Sequence, residues 1–231
     1  LTLLVLILVS TGVLAQTGPA GIGNAGGTDG EPELKLWLLP DSLGLTDGSN
    51  VTSWTDYSGN GNDLDGSAVS PKFRANALNG HDYVDFADDL SRVVKTNFAM
   101  PTEAVSVFFV LRAQEDATQS LCPLSYEEGA NEYIILEHAS DGDFGTFVKG
   151  NNYNPPFDYA DNQWKILSHQ WRSSDGRLLV HANSTETVNT NHESGTSLTS
   201  GGTLVLGAEQ DGENTGYNSD QDFEGGSIAE F

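Results

Sequence analysis

The chain has 231 residues, with 33 Asp or Glu against 10 Lys or Arg, giving a formal charge of −23. A surface this acidic repels phosphate backbones and anionic membrane faces, so it excludes nucleic acid as a partner and favours divalent cations. The apolar share of 37% is too high for a disordered chain, and the single cysteine, Cys122, excludes an intrachain disulfide and any zinc site built on two thiolates.

In chain order, residues 1–9 are almost wholly apolar, and Val13-Leu14-Ala15 forms a small-residue end before Gln16. This reads as the core and cleavage site of a signal peptide over 1–15, and the apolar run is shorter than the about 20 residues a bilayer span needs. The expected mature protein is secreted or held at the cell surface, with no membrane insertion after cleavage. Residues 16–32 (QTGPAGIGNAGGTDGEP) have no hydrophobic period and read as a flexible Gly-rich leader. One domain is expected over 33–231.

From residue 33 onward short alternating apolar runs recur between Gly, Asn, Asp, Pro and Ser clusters. They predict strands at 34–38, 51–54, 83–86, 105–111, 133–137, 145–148, 164–171, 177–182, 203–207 and 228–231. No long segment carries an apolar stripe at helical spacing. Residues 105–111 (VSVFFVL) are apolar at both parities and predict a central strand covered on both faces. In 164–171 (WKILSHQW), Lys165, Leu167, His169 and Trp171 share one face, and Ser173-Ser174-Asp175-Gly176 turns the chain into an antiparallel partner at 177–182. The fold class is therefore all-β: a two-sheet antiparallel β-sandwich or jelly roll. The last run, Ser227–Phe231, carries no turn signal or closing partner in the sequence, which leads us to expect further strands beyond it.

Residues 203–226 (TLVLGAEQDGENTGYNSDQDFEGG) resemble the calcium-loop region of pentraxins and of the wider laminin-G-like, concanavalin A-like jelly-roll superfamily. The resemblance is carried by Leu206-Gly207, Glu209-Gln210-Asp211, Tyr217, Gln221 and Gly226-Ser227-Ile228. Leu124-Ser125-Tyr126, Asn131-Glu132-Tyr133-Ile134 and the hairpin from Trp171 to Ala182 agree with it in family order. Trp54-Thr55-Asp56-Tyr57-Ser58-Gly59-Asn60-Gly61-Asn62-Asp63 is similar to a motif of bacterial laminin-G-like domains.

The resemblance implies a calcium site with Asn131, Glu209, Gln210, Asp211 and Gln221 as ligands, the Glu-Gln-Asp loop binding partly through backbone carbonyl. Two charged ligands of the pattern are missing: Ala130 stands at an expected Asp, and Asn218 at a downstream acid that Asp220 or Asp222 could replace. Calcium takes about six to eight oxygens and binds more weakly as carboxylates are lost, so one weak, structural calcium is expected rather than two tight ones. An acidic, solvated loop is the plainer alternative. The Asp56 motif places oxygen-bearing residues at alternate positions, as an EF-hand loop does. Leu64 and Ser67 fall where later ligands belong, which favours a turn held by its own Asp and Asn side chains.

No catalytic constellation is found. Glu132 and Glu137 are five apart on one strand, Glu127 and Glu128 are adjacent, and neither pair is placed for retaining hydrolysis. None of His81, His138, His169, His181 and His192 lies in a hydrolase or metalloprotease motif. His169 and His181 are expected as a cross-strand polar pair. Cys122, beside Pro123, reads as a core thiol. The loop 149–161 (KGNNYNPPFDYAD) offers Tyr153, Phe157 and Tyr159 among Asn and Asp, the ingredients of a sugar-stacking site, although such aromatics also cap sandwiches. The chain thus reads as a non-catalytic binding or adhesion module for a glycan or other cell-surface ligand, steadied by calcium. Its alternatives are an accessory domain of a larger carbohydrate-active enzyme and a structural spacer.

Overall fold

The computed structural model describes residues 33–114, 119–129, 131–137 and 143–231; the expected signal peptide, the leader, Ala130 and His138 lie outside them. In chain order the strands are β1 (Ser53–Trp54), β2 (Leu64–Gly66), β3 (Lys72–Leu78), β4 (His81–Phe86), β5 (Val93–Lys95), β6 (Ala104–Arg112), β7 (Leu121–Glu127) and β8 (Tyr133–Glu137). They continue with β9 (Phe144–Val148), β10 (Asn151–Tyr153), β11 (Lys165–Arg172), β12 (Arg177–Ala182), β13 (Thr185–Asn191), β14 (Thr203–Leu206) and β15 (Gly226–Glu230). Among the described residues the helical pieces are two 3₁₀ turns, Pro40–Ser42 and Ser219–Gln221. No helix there is long and apolar enough to cross a membrane.

The strands form two antiparallel sheets, the predicted sandwich. One has eight strands in the order β1-β2-β5-β14-β7-β8-β9-β10, the other seven in the order β13-β12-β11-β6-β15-β4-β3. Between them lie fully buried Trp54, Trp171, Tyr126, Tyr133, Phe73, Phe86 and Phe109. Burying side chains of this size contributes about 1.5–3 kcal/mol each, so the inward parity of each strand fixes its register.

Four expectations need correction. Strand β6 is central in its sheet but alternates: Val105, Val107, Phe109 and Leu111 face inward, while Phe108 is 56% exposed on the outer face beside Ile166 at 55%. Strand β7, by contrast, is buried at every position, as is the shorter β14 beside it. Its outer side is overlain by the chain that leaves β14 and returns to β15, with Ser125 Oγ donating to the Ala208 carbonyl (2.8 Å) and the Cys122 amide to the Asp222 carbonyl (3.0 Å). A register shift between Leu121 and Leu124 accommodates Pro123, which has no amide to give the ladder.

Residues 34–37 form no strand, because side chains take their backbone groups. Asn60 Nδ2 donates to the Leu34 carbonyl (2.5 Å), Asn62 Nδ2 to that of Lys35 (2.8 Å), and the Trp37 amide to Asp56 Oδ1 (3.1 Å). Strand β15 does have partners, β4 on one side and β6 on the other. The hairpin β11–β12 forms as predicted, but His169 pairs with Val180 and His181 with Ser168, so the two histidines stand on opposite faces. His169 is buried against Tyr133, sharing a hydrogen bond through Nδ1, and desolvation holds it down to about 3. Cys122 is a buried thiol, as expected, and desolvation pushes its pKa up.

Candidate metal centre

The loop after β14 is a closed excursion. It departs at Gly207, whose φ of +102° only glycine adopts readily and where a Cβ would stand 2.4 Å from the Phe86 ring. It returns through a bridge between Ala208 and Asp222, with the Glu209 amide donating to the Gln221 carbonyl (2.9 Å). Glu209 and Gln221 thus stand at the neck of the loop, with Gln210 and Asp211 following.

Gln210 is fully buried and its side chain is spent on bracing. Its Nε2 donates to the Thr203 carbonyl (2.9 Å) and to Ser125 Oγ (3.3 Å), while Oε1 accepts from the Asn214 amide (2.9 Å). Only its backbone carbonyl is left to serve a cation. Asp211 is exposed and lies against Gly216, where a Cβ would come within 2.6 Å of the Asp211 Cβ. Further along, the Arg92 guanidinium sits 3.7 Å above the Tyr217 ring, a cation–π contact that holds the far side of the loop.

Glu209 is 3% exposed, and its Oε2 is buried with no hydrogen-bond partner. Desolvation, with the charge of Asp211, pushes its carboxyl up to about 7. Across from it, at the end of β7, Glu127 is equally buried. Its Oε1 accepts the Asn131 amide, its Oε2 is buried without a partner, and desolvation pushes it up to about 7 against that hydrogen bond, with Glu209, Glu132 and Asp211 adding to the rise. Asn131 has φ of +47°, a left-handed turn that Asn tolerates, and its carbonyl accepts from the Gly150 amide (2.8 Å). In the sequence Glu127 is weighed only as an acid adjacent to Glu128; its place at the end of β7 appears in the structure.

The proposed substitutes for the missing acids fare differently. Asn218 Oδ1 accepts the Asp220 amide (3.0 Å) and so caps the 3₁₀ turn that carries Gln221. Asp222 is turned inward, where it accepts from the Leu90 amide (2.5 Å), the Glu224 amide (3.1 Å) and Gln119 Nε2 (3.1 Å). It is a structural carboxylate and not a cation ligand. Asp220 remains exposed on the turn.

The aromatic loop does not present three stacking faces. Tyr159 is fully buried against Phe144, with its hydroxyl donating to the Leu121 carbonyl (3.2 Å), so its expected ligand role is overturned. Phe157 is half-buried on the other side of Phe144, at 5.9 Å between ring centroids. Tyr153 is half-buried and faces the His192 ring at 5.7 Å. Their apolar bodies cap the sandwich end because Phe144, at the start of β9, offers a surface for them to cover.

A family profile described as the pentaxin family matches residues 87–231, which contain every residue of the loop and both orphaned carboxylates. The chain belongs to the pentaxin family. Among solved structures, this pentaxin is similar to a heptameric SAP-like pentraxin from Limulus polyphemus, with 23% identity over 59% of this chain and 66% of that one, at a TM-score of 0.47. It is also similar to the botulinum neurotoxin type C whose cell entry depends on two ganglioside molecules, with 12% identity, 85% and 46% coverage, and a TM-score of 0.54. A GH54 α-L-arabinofuranosidase matches at 16% identity over 78% of this chain and 46% of that one, at a TM-score of 0.48. At such identities the likeness shows the jelly-roll fold alone, and the chain spans only about half to two thirds of the length of these structures. No curated protein matches it.

The family implies calcium, and the residues of this pentaxin fit it. Among the described residues no three His, Cys, Asp or Glu side chains are gathered closely enough to hold a metal as they stand. The fit is carried by chemistry instead. Two buried carboxylate oxygens, on Glu127 and Glu209, have no donor of their own, and an all-oxygen set of carboxylate, amide and backbone carbonyl is the hard donor type that calcium takes.

Proposed function

We propose that this pentaxin is a non-catalytic, secreted or cell-surface binding module. It holds one structural calcium through Glu209, the Gln210 carbonyl, Asp211, Asn131 and Gln221, and it uses that end of the sandwich to bind a glycan. The observation that carries the reading is Glu209: a carboxylate buried to 3% exposure whose Oε2 no group of the protein satisfies. Leaving such an oxygen unpaired costs about 1–3 kcal/mol, and a bound cation removes the cost.

Calcium would supply coordination positions for ligand hydroxyls and neutralise the surrounding carboxylates. The protein's own part is bracing. Gln210 ties the loop to β7 and β14, Arg92 supports Tyr217, and the Asn218 cap orients the turn bearing Gln221. A glycan suits a face this acidic, because a neutral polyol meets no charge repulsion there whereas a phosphate or sulfate would. Tyr153, still half-exposed beside His192, is the aromatic that a sugar ring could reach.

Retention of the full chain on immobilised glycans, in calcium and then in chelator, tests the reading. Retention that is lost in chelator and in Asp211→Ala is the expected result. Retention that ignores chelator would detach glycan binding from this centre, and no retention on any glycan would make the domain a spacer.

A further inference from the structure

We infer that Glu127, a residue outside the positions the family pattern supplies, is itself a calcium ligand and takes the place of the carboxylate that Ala130 does not offer. The inference rests on the calcium reading above.

Three glutamates, Glu127, Glu132 and Glu209, are buried, and they divide cleanly. Both oxygens of Glu132 are satisfied: Oε1 accepts from Lys149 Nζ and from Thr199 Oγ1 (3.1 Å), and Oε2 from the Thr199 amide (3.3 Å). That carboxylate already has its cation. Glu127 and Glu209 have none, and each keeps one buried oxygen without a partner. Two mutually repelling buried carboxylates are a poor structural device, since an uncompensated buried charge costs several kcal/mol. Buried carboxylates that the protein leaves unpaired become favourable when a divalent ion neutralises them.

Glu127 is also held where a ligand must be. It ends β7 in register with Thr203, and a Cβ on Gly202 would come within 2.0 Å of the Glu127 carbonyl, so the two backbones are in close contact. The bond from the Asn131 amide to Oε1 fixes the carboxylate beside the one matched amide ligand and leaves Oε2 free. The side chain is 0% exposed and cannot reach water for solvation. Gln210 bonds Ser125 Oγ, two residues before Glu127 on β7, and the carbonyl of Thr203, the residue paired with Glu127, so the Glu209-Gln210-Asp211 segment is anchored beside the end of β7. With Glu127 included, the set holds three carboxylates, enough charge for a calcium site in an extracellular module.

Calorimetric titration of calcium into the full chain at about pH 8 tests this, with Glu127→Gln, Asp211→Ala and the exposed neighbour Glu128→Gln. Gln at 127 keeps an oxygen for the Asn131 amide, so the turn survives while the charged ligand is lost. One calcium per chain is expected, weakened at least about tenfold by Glu127→Gln and unchanged by Glu128→Gln. Terbium luminescence lifetimes in light and heavy water should show at least one additional water on the ion in Glu127→Gln. If that variant does not fold, Glu127→Asp, which keeps the charge but shortens its reach, is expected to show the same two changes. Loss of binding in Asp211→Ala with full affinity in the Glu127 variant would overturn this inference and leave the calcium reading standing. No calcium binding by the unaltered chain would overturn both.

Discussion

The loop around Asp56 and the excursion from Gly207 to Asp222 use the same vocabulary of Asp, Asn and Gly, and both resemble cation loops in sequence. In the first, Asp56 accepts from the Trp37 amide, the Ser58 amide, Ser58 Oγ and the Asn62 amide, and Asp63 Oδ1 accepts the Asp56 amide (2.8 Å). Gly59 and Gly61, at φ of +87° and +71°, let the chain curl around that carboxylate. Every charge there is answered by backbone, so the loop is a clasp that holds residues 34–37. In the second, Glu127 and Glu209 are buried more deeply and answered less. A carboxylate surrounded by amides needs no further partner, whereas one stripped of water and left unpaired takes up either a proton or a cation.

The contrast can be broken first at Asp56. Asp56→Ala removes four hydrogen bonds to a carboxylate and should destabilise the domain by about 3–4 kcal/mol, equally in chelator and in calcium, as read by urea unfolding. A calcium-dependent penalty would make the clasp a metal loop.

The next largest effect is on pH dependence. In metal-free protein Glu127 and Glu209 are pushed up to about 7 and Asp222 to about 6, above the ordinary carboxylate range. The folded state then binds more protons than the unfolded state between about pH 4.5 and 7, so stability falls as pH rises through that window. The loss should be about 3 kcal/mol for each of the two glutamates. Saturating calcium should flatten the part due to Glu127 and Glu209, and denaturant midpoints measured across that range would show it. Asp175, lowered to about 2 by its exposed pair with Arg172, should add nothing measurable above pH 4.

Glu209→Gln should raise stability in chelator by about 1 kcal/mol, because it removes a buried charge, and should abolish the response to calcium. Unchanged stability in chelator combined with a retained calcium response would contradict the assignment. The smallest effect is at the cap: Asn218→Ala should cost about 0.5–1 kcal/mol and weaken calcium binding only slightly, because Gln221 loses its fixed turn.

Much of the architecture was legible from alternation alone. The hairpin β11–β12 was readable because Leu167, His169 and Trp171 alternate inward with polar residues between them. The strands that escaped notice have physical reasons. β13 (TETVNTN) and β3 (KFRANAL) are sheet-edge strands with few apolar positions, and β3 carries a register shift after Arg74. β7 holds a proline in a bulge, and its double burial comes from a loop folding back over it, which no local pattern records. Residues 34–37 showed alternation without forming a strand because Asn60 and Asn62 had claimed the Leu34 and Lys35 carbonyls, and only Leu38 makes a bridge, to Asp56.

The candidate centre was half legible. Glu209, Gln210, Asp211 and Gln221 are close in sequence and the loop neck joins them, so the motif was enough to find them. Glu127 reaches them across the sheet, through the pairing of β7 with β14, and its importance appears only when each buried oxygen is matched to a donor. Tyr159 misled for the opposite reason: a loop residue of suitable chemistry turned out to be core, because Phe144 lay beneath it.

The central claim is that the orphaned carboxylates await calcium in particular and not positive charge in general. Thermal unfolding of the 231-residue chain in chelator, in about 10 mM calcium and in magnesium at matched ionic strength tests it directly, since a chain of charge −23 gains from screening by any salt. Calcium at ten to a hundred times a weak extracellular dissociation constant should add about 1.5–3 kcal/mol, a rise of roughly 3–10 °C that magnesium does not match and Asp211→Ala removes. Equal shifts in calcium and magnesium would contradict the account and make the excursion a solvated acidic loop.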